Sequence, residues 1–209
     1  MGKNIEIEIK ARIEDPAVCK ERLEGLAGEG AAFVKEDAYW LPLNEKKSGR
    51  VPPVSAAPLP PSGVRVRRER RTGGEVPEQT WVTYKIQESG LDGIEVNEEH
   101  EFEVSGGDEF EEFLTRLGLT RGIRKRKGGW KWRHGNITAE LAEVAGDAPP
   151  APPRNLGWFV ELEILADPAE AETAPRAAGA ELLQFLGLLG IAKENIEPRR
   201  YSQLLAARG

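Results

Sequence analysis

Full charges and aliphatic side chains alternate residue by residue through one segment after another of this chain, and no other feature restricts its fold as much. Asn4 to Arg12 shows it first. Ile5, Ile7 and Ile9 fall on one face and Glu6, Glu8 and Lys10 on the other, because successive side chains of a strand point to opposite sides. Gly63 to Arg70 sets Arg65 and Arg67 against Val64 and Val66, and Trp81 to Ile86 sets Lys85 against Val82, Tyr84 and Ile86. Ile94 to Val104 opposes Glu99, Glu101 and Glu103 to His100, Phe102 and Val104. Phe33 to Leu43 reads as a further strand, and so does the basic stretch Ile123 to Arg133, interrupted at Gly128-Gly129. Ile137 to Val144 pairs with Trp158 to Leu165, which carries Glu161 and Glu163, across a proline-rich connection around Ala148 to Pro153.

Helical signals lie between and after these strands. Asp15-Pro16 reads as N-cap and first residue of a helix that Gly28 stops, with Val18, Leu23 and Leu26 marking its apolar stripe. Cys19 sits in this helix as a structural thiol. Asp108 caps a second helix striped by Phe110, Phe113, Leu114 and Leu117 and ended by Gly118. Glu181 to Leu189 and Arg199 to Ala207 read as closing helices. Thr72-Gly73-Gly74 is a turn signal. Pro42 to Gly63 is a long proline-rich loop, either a lid beside a site or a segment without function. With no internal repeat and no boundary, the reading is one domain over 1–209, with proline-rich loops at 42–63 and 147–155.

Composition narrows the ligand. The 209 residues are 39% hydrophobic and 31% charged, and the formal net charge is -6. A nucleic-acid partner is therefore not expected, and any polyanion must be held by locally clustered bases. No apolar run reaches the ~18 residues that span a bilayer, and no signal peptide is recognised, so the expectation is a cytoplasmic protein with no membrane partner. A lone cysteine excludes an intrachain disulfide, and His100 and His134 have no metal-ligand spacing.

Two geometries explain the charged faces. Either they point to water, or the sheet closes with them inward around a hydrated tunnel while helices cover the aliphatic outside. Buried charges are costly unless paired, hydrated or bound to ions. A ligand with several negative charges, bound together with divalent cations, satisfies both sets: carboxylates hold Mg²⁺ or Mn²⁺ through oxygen, and Arg and Lys hold phosphate oxygens. The presence of both sets on strands favours the inward version.

The run Glu6-Ile7-Glu8-Ile9-Lys10 resembles the N-terminal ExExK signature of the CYTH superfamily, the triphosphate tunnel metalloenzymes. Later segments fit the family's order: Asp37-Ala38-Tyr39-Trp40, Val64-Arg65-Val66-Arg67, Thr83-Tyr84-Lys85, the acids from Glu99 to Glu103, Arg124 to Lys127 ahead of Trp130, Phe159-Val160-Glu161-Leu162-Glu163, and Arg200-Tyr201-Ser202-Gln203-Leu204-Leu205. The resemblance implies an α+β fold, a closed antiparallel barrel of about eight strands with helices outside and a charged tunnel within. It makes Glu6 and Glu8 metal ligands or orienters of metal-bound water. Glu161 and Glu163 join them, with Glu101 or Glu103 in support. Lys10, Arg65, Arg67 and Lys85 bind phosphate oxygens. Lys125 and Lys127 extend that set, with Arg124 and Arg126 as the opposite-face alternative, and Arg199 or Arg200 supplies a last base. Ala142 stands where the family often has an acid, and Glu140, two residues earlier on the same face, is the substitute.

The resemblance admits three activities. The first is Mg²⁺- or Mn²⁺-dependent hydrolysis of tripolyphosphate or a small organic triphosphate, with Glu6, Glu8 and Lys85 at the chemistry. The second is a class IV adenylyl cyclase, in which the ribose hydroxyl of ATP attacks the α-phosphorus. The third is a triphosphate-binding module without turnover. Tyr39, Trp40, Trp130 and Trp132 are expected to pack helices or barrel ends more than to stack a base. The aliphatic outer faces would also support a homodimer.

Overall fold

The computed structural model describes residues 3–42, 63–71, 77–91 and 93–207. The expected loop over 43–62 and the turn at 72–74 lie outside the described residues. Eight strands form: β1 (Lys3–Ile13), β2 (Ala31–Pro42), β3 (Val64–Arg71), β4 (Gln79–Leu91), β5 (Ile94–Val104), β6 (Leu119–His134), β7 (Ile137–Asp147) and β8 (Arg154–Ala166). Every neighbouring pair is antiparallel, and the sheet closes in the order β1-β5-β4-β3-β2-β6-β7-β8.

Four helices pack on this barrel: α1 (Pro16–Ala27), α2 (Gly107–Arg116), α3 (Ala174–Leu188) and α4 (Tyr201–Ala206). Their placement puts the main apolar core outside the barrel. Ile5, Ile7 and Ile9 of β1, Leu141 of β7 and Leu162 of β8 turn outward, where Cys19 and Leu23 of α1 and Leu182, Phe185 and Leu186 of α3 bury them. Each such aliphatic contributes about 1.5–3 kcal/mol relative to exposure. A smaller cluster joins α2 to Ala38, Trp40 and Val66. A third, of Val144, Phe159, Tyr201 and Leu204, brings α4 onto one end of the barrel.

Asp15 caps α1 as expected, accepting from the backbone N–H of Ala17 (3.0 Å) and Val18 (3.1 Å). Gly28 stops that helix at φ 80°, a left-handed conformation that suits glycine. The stripe differs from the expected one. Val18 is exposed, and Cys19 and Leu23, one helical turn apart, take the buried face. On α2, Phe113 and Leu117 are likewise exposed, and Leu114 with Phe110 makes the contact. Asp108 does not cap α2. Its carboxylate accepts from Arg68 Nη2 at 2.6 Å, and Gly106 holds the cap position.

Gly128-Gly129 does not interrupt β6, which runs unbroken through both glycines. Gly129 sits opposite Ala142, and a Cβ there would lie 2.0 Å from the Leu141 carbonyl oxygen. Glycine here permits close approach of two strands. β4 extends to Leu91 and α3 begins at Ala174, both longer than the expected segments.

Candidate functional site

The closed sheet settles which way the charges point. Glu6, Glu8 and Lys10 of β1, Arg65 and Arg67 of β3, Lys85 of β4, Glu99 and Glu101 of β5, Lys125 of β6, Glu140 of β7 and Glu161 and Glu163 of β8 all line one interior cavity of about 330 Å³. That volume is at the lower end of the range for small-molecule sites. Lys127 shares the interior, buried between Glu140 and Glu161. Arg124 and Arg126, the opposite-face alternative, point outward. Among the aromatics, Trp132 packs on α1 through a hydrogen bond to Gly28 O (3.1 Å), Trp40 packs under α2, and Trp130 stacks on Trp158. Tyr39 alone of those four lines the cavity.

Two expected residues lie elsewhere. Glu103 is exposed beyond Glu101 near the end of β5, where it accepts from Gln79 Nε2 at 3.4 Å. Arg199 is 57% exposed and bonds Glu197 (Nε 2.7 Å, Nη2 2.7 Å), a carboxylate that also accepts from Arg12 Nη2 at 2.9 Å. Arg199 therefore braces Glu197, whose bond to Arg12 fastens the segment before α4 to the end of β1, and Arg200 faces the cavity in its place. Sequence reading passed over Lys35, Asp37, Glu95 and Asn97 as site residues, although all four are buried or half-buried in this interior. Lys35 and Asp37 share a face with Tyr39 at a spacing of two, which is the signal that could have found them.

The barrel order separates the charges into two walls. Neighbouring strands β3, β2 and β6 carry Arg65, Arg67, Lys35, Lys125 and Lys127, with Asp37 and Glu69 among them. Neighbouring strands β7, β8, β1 and β5 carry Glu140, Glu161, Glu163, Glu6, Glu8, Glu95, Glu99 and Glu101, with Lys10 among them. Bases and acids meet where the two walls adjoin. Lys85 Nζ donates to Glu6 Oε2 at 2.5 Å, Lys127 to Glu140 (2.8 Å) and Glu161 (2.5 Å), and Lys35 to Glu140. On the basic wall Arg67 grips Asp37 with two bonds (2.7 and 3.0 Å) and Lys125 approaches it at 3.0 Å.

These contacts set the protonation states. Burial alone would raise Asp37, Glu140 and Glu161, but Arg67 holds Asp37 well below the usual carboxylate range and Lys127 does the same for Glu140. Lys127 also brings Glu161 down to about 2. Two acids go the other way. Burial, then the charges of Glu161 and Glu6, push Glu8 up to about 8. Burial, then Glu6 and Glu140, push Glu163 up to about 7. Glu8 and Glu163 sit opposite each other in the β1–β8 pair, and neither has an ion pair among the described residues. Oε1 of Glu161 on the acidic wall and Nε of Arg65 on the basic wall are buried without a hydrogen-bond partner.

Among the described residues no three carboxylates converge as they stand on a point that would hold a metal ion. Lysines draw Glu6, Glu140 and Glu161 aside. The donor set nevertheless suits a hard divalent cation: it is all oxygen, with two acids unpaired and one buried oxygen unsatisfied. Among the described residues no helix is long and apolar enough to cross a membrane.

A closed barrel with facing acidic and basic walls defines a tunnel suited to a polyanion and cations together. The chain belongs to the CYTH family: the CYTH domain model matches residues 60–201. Solved structures repeat the fold. The PH1012 protein of Pyrococcus horikoshii is 24% identical with a TM-score of 0.67, the alignment covering 96% of this chain and 99% of that one. A candidate adenylate cyclase of Vibrio parahaemolyticus is 14% identical at TM-score 0.66, covering 99% and 100%. HpAC1 of Hippeastrum, described as revealing a dominant triphosphatase activity, is 14% identical at TM-score 0.51, covering 90% and 88%. A search of curated protein sequences finds no match.

Proposed function

We propose that the protein is a divalent-metal-dependent phosphohydrolase acting on a triphosphate held in the barrel, either tripolyphosphate or a small organic triphosphate. The observation that carries this reading is the division of the interior into a basic wall and an acidic wall, each with a buried atom lacking a partner. An extended phosphate chain laid along Arg65, Arg67, Lys35, Lys125 and Lys127 places its oxygens on the bases. Its opposite side then faces Glu6, Glu8, Glu161 and Glu163, with Glu101 and Glu140 in support.

Mg²⁺ or Mn²⁺ bound by these acids would neutralise charge on the phosphate oxygens and lower the pKa of a bound water. The chain's own residues supply the rest. Arg65 and Arg67 hold the phosphates through planar forks, and Lys85, charged at all working pH values beside Glu6, stabilises negative charge that develops on the transferred group. Glu6 and Glu8 orient the attacking water and accept its proton. No covalent intermediate is needed, since phosphoryl transfer depends on positioning and electrostatics.

The test is phosphorus NMR of the protein with Mg²⁺ or Mn²⁺ and, separately, tripolyphosphate, ATP and thiamine triphosphate, run beside Glu6→Gln/Glu8→Gln. Orthophosphate released by wild type and not by the variant supports hydrolysis. Cyclic AMP and pyrophosphate from ATP would replace it with the cyclase. Binding of tripolyphosphate without any product would leave only a binding module.

A further inference from the structure

The cavity ends on a tyrosine. Tyr201, the first residue of α4, lines the cavity beside Arg200 and Ser202 and is 7% exposed, and its hydroxyl faces the Glu161 carboxylate outside good hydrogen-bond geometry. Nζ of Lys10 and Nζ of Lys125 each lie 4.9 Å from the centroid of its ring. The ring is fixed from behind, edge-on against Phe159 at 5.1 Å, and Leu204 and Leu205 of the same helix are buried. The segment leading to it is tied to the end of β1: Glu197 N donates to Lys10 O at 2.8 Å, and the Glu197 carboxylate holds Arg12 and Arg199. At the opposite end of the strands the lining residue Leu165 and the side chain of Lys131 are half-exposed.

We infer that Tyr201 is a specificity-determining residue that selects substrate by chain length. With Lys10 and Lys125 it forms a floor that receives the terminal phosphoryl group and stops the chain. This inference rests on the triphosphate reading above. Two chemical facts favour an end group over a bridging one. A terminal phosphoryl carries up to two negative charges near neutral pH, which suits two ammonium groups set about one ring, Lys10 with Glu95 at 3.6 Å and Lys125 with Asp37 at 3.0 Å, whereas a bridging phosphate carries one. The buried Tyr201 hydroxyl can donate to a phosphate oxygen in place of Glu161, and an end group offers three free oxygens where a bridging phosphate offers two. The substrate therefore enters end-on, and any organic substituent trails toward Lys131 and Leu165. From Lys10 to Asn4, β1 gives the wall a length of about 20 Å at ~3.3 Å per residue, measured upward from this floor.

The experiment compares wild type with Tyr201→Ala, Tyr201→Phe and Tyr201→Trp. It uses pyrophosphate, tripolyphosphate and a linear polyphosphate of tens of units, reading both kcat/KM and affinity by calorimetry. Tyr201→Ala removes the floor and should raise the ratio of long-chain to tripolyphosphate kcat/KM by about tenfold. Tyr201→Phe keeps the floor and loses only the hydroxyl, so all lengths should weaken together and the ratio should hold. Tyr201→Trp shortens the cavity and should depress tripolyphosphate relative to pyrophosphate. A folded Tyr201→Ala with an unchanged ratio overturns the inference. If that variant does not fold, an unchanged ratio in Tyr201→Trp overturns it. Wild type that binds phosphates with a length preference but hydrolyses none would sink the proposed activity and leave the floor standing. Wild type that binds none sinks both.

Discussion

Replacing Lys127 by Met separates the electrostatics of the tunnel from its packing. Lys127 is 2% exposed and is the only ion-pair partner of Glu161 among the described residues, whereas Glu140 keeps Lys35 when Lys127 is gone. The substitution therefore strands one buried carboxylate. Breaking a buried pair from one side costs about 3–5 kcal/mol. The stranded group has an escape, because it can take a proton. From an ordinary value of 4.5, protonation at pH 7 costs about 3 kcal/mol at ~1.4 kcal/mol per pH unit, which limits what the stranded charge adds to the loss of the pair itself. At pH 5 the same step costs less than about 1 kcal/mol.

The sign follows from the two folded states. In wild type the folded Glu161 value, about 2, lies below the unfolded one, so its contribution is present above pH 4.5 and is lost as pH falls toward 2. In Lys127→Met the folded value lies above the unfolded one, so stability is lost as pH rises. The deficit of the variant should thus be about 2–3 kcal/mol larger at pH 7 than at pH 5 by urea unfolding in chelator, with a correspondingly larger fall in Tm at pH 7. Lys127→Met/Glu161→Gln should recover most of it. A deficit below about 1 kcal/mol at pH 7, or one equal at both pH values, would refute the reasoning.

Three further outcomes follow from the same geometry. Glu8 and Glu163 have folded values above their unfolded ones, so in chelator the wild-type fold should lose stability as pH rises from about 5 to 8. Glu8→Gln should flatten that slope and stabilise the protein at pH 8 while abolishing hydrolysis; a variant less stable than wild type at pH 8 would contradict the assignment. Gly129→Ala drives a Cβ into the Leu141 carbonyl and should cost about 3 kcal/mol or more, read by urea unfolding; an unchanged midpoint would mean the two strands part easily. Arg199→Ala should leave the KM for tripolyphosphate within about twofold of wild type and lower Tm, whereas Arg65→Ala should raise KM about tenfold or more; equal kinetic effects would return Arg199 to the site.

Much of this architecture was legible because a period of two survives in the sequence wherever one face of a strand is uniform. The alternation in β1, β3, β5 and β8 located both the strands and the residues that line the tunnel. Alternation could not say which face turned inward, since an exposed charged face and a tunnel wall share one pattern. Closure of β1 on β5 and β8 decides that, and closure is a long-range fact. The same limit explains Arg199: its tether to Arg12 through Glu197 joins residues far apart in the chain. Gly128-Gly129 misled for a local reason, because a glycine needed for strand contact reads like a turn. Lys35 escaped notice because its strand mixes Phe33, Asp37 and Tyr39 on one face, so the charge pattern is diluted. Val18 and Phe113 looked like core because a hydrophobic stripe drawn from sequence has no knowledge of where the barrel surface ends.

The central claim is that the acidic and basic walls bind a cation and a triphosphate together. It is tested most directly by titrating Mn²⁺ into the protein and following free Mn²⁺ by electron paramagnetic resonance, with and without tripolyphosphate, in wild type and in Glu6→Gln/Glu8→Gln. The account predicts weak Mn²⁺ binding to the protein alone, tighter binding when tripolyphosphate is present, and loss of that gain in the variant. Mn²⁺ binding that tripolyphosphate does not strengthen, or that survives the loss of both glutamates, would contradict it.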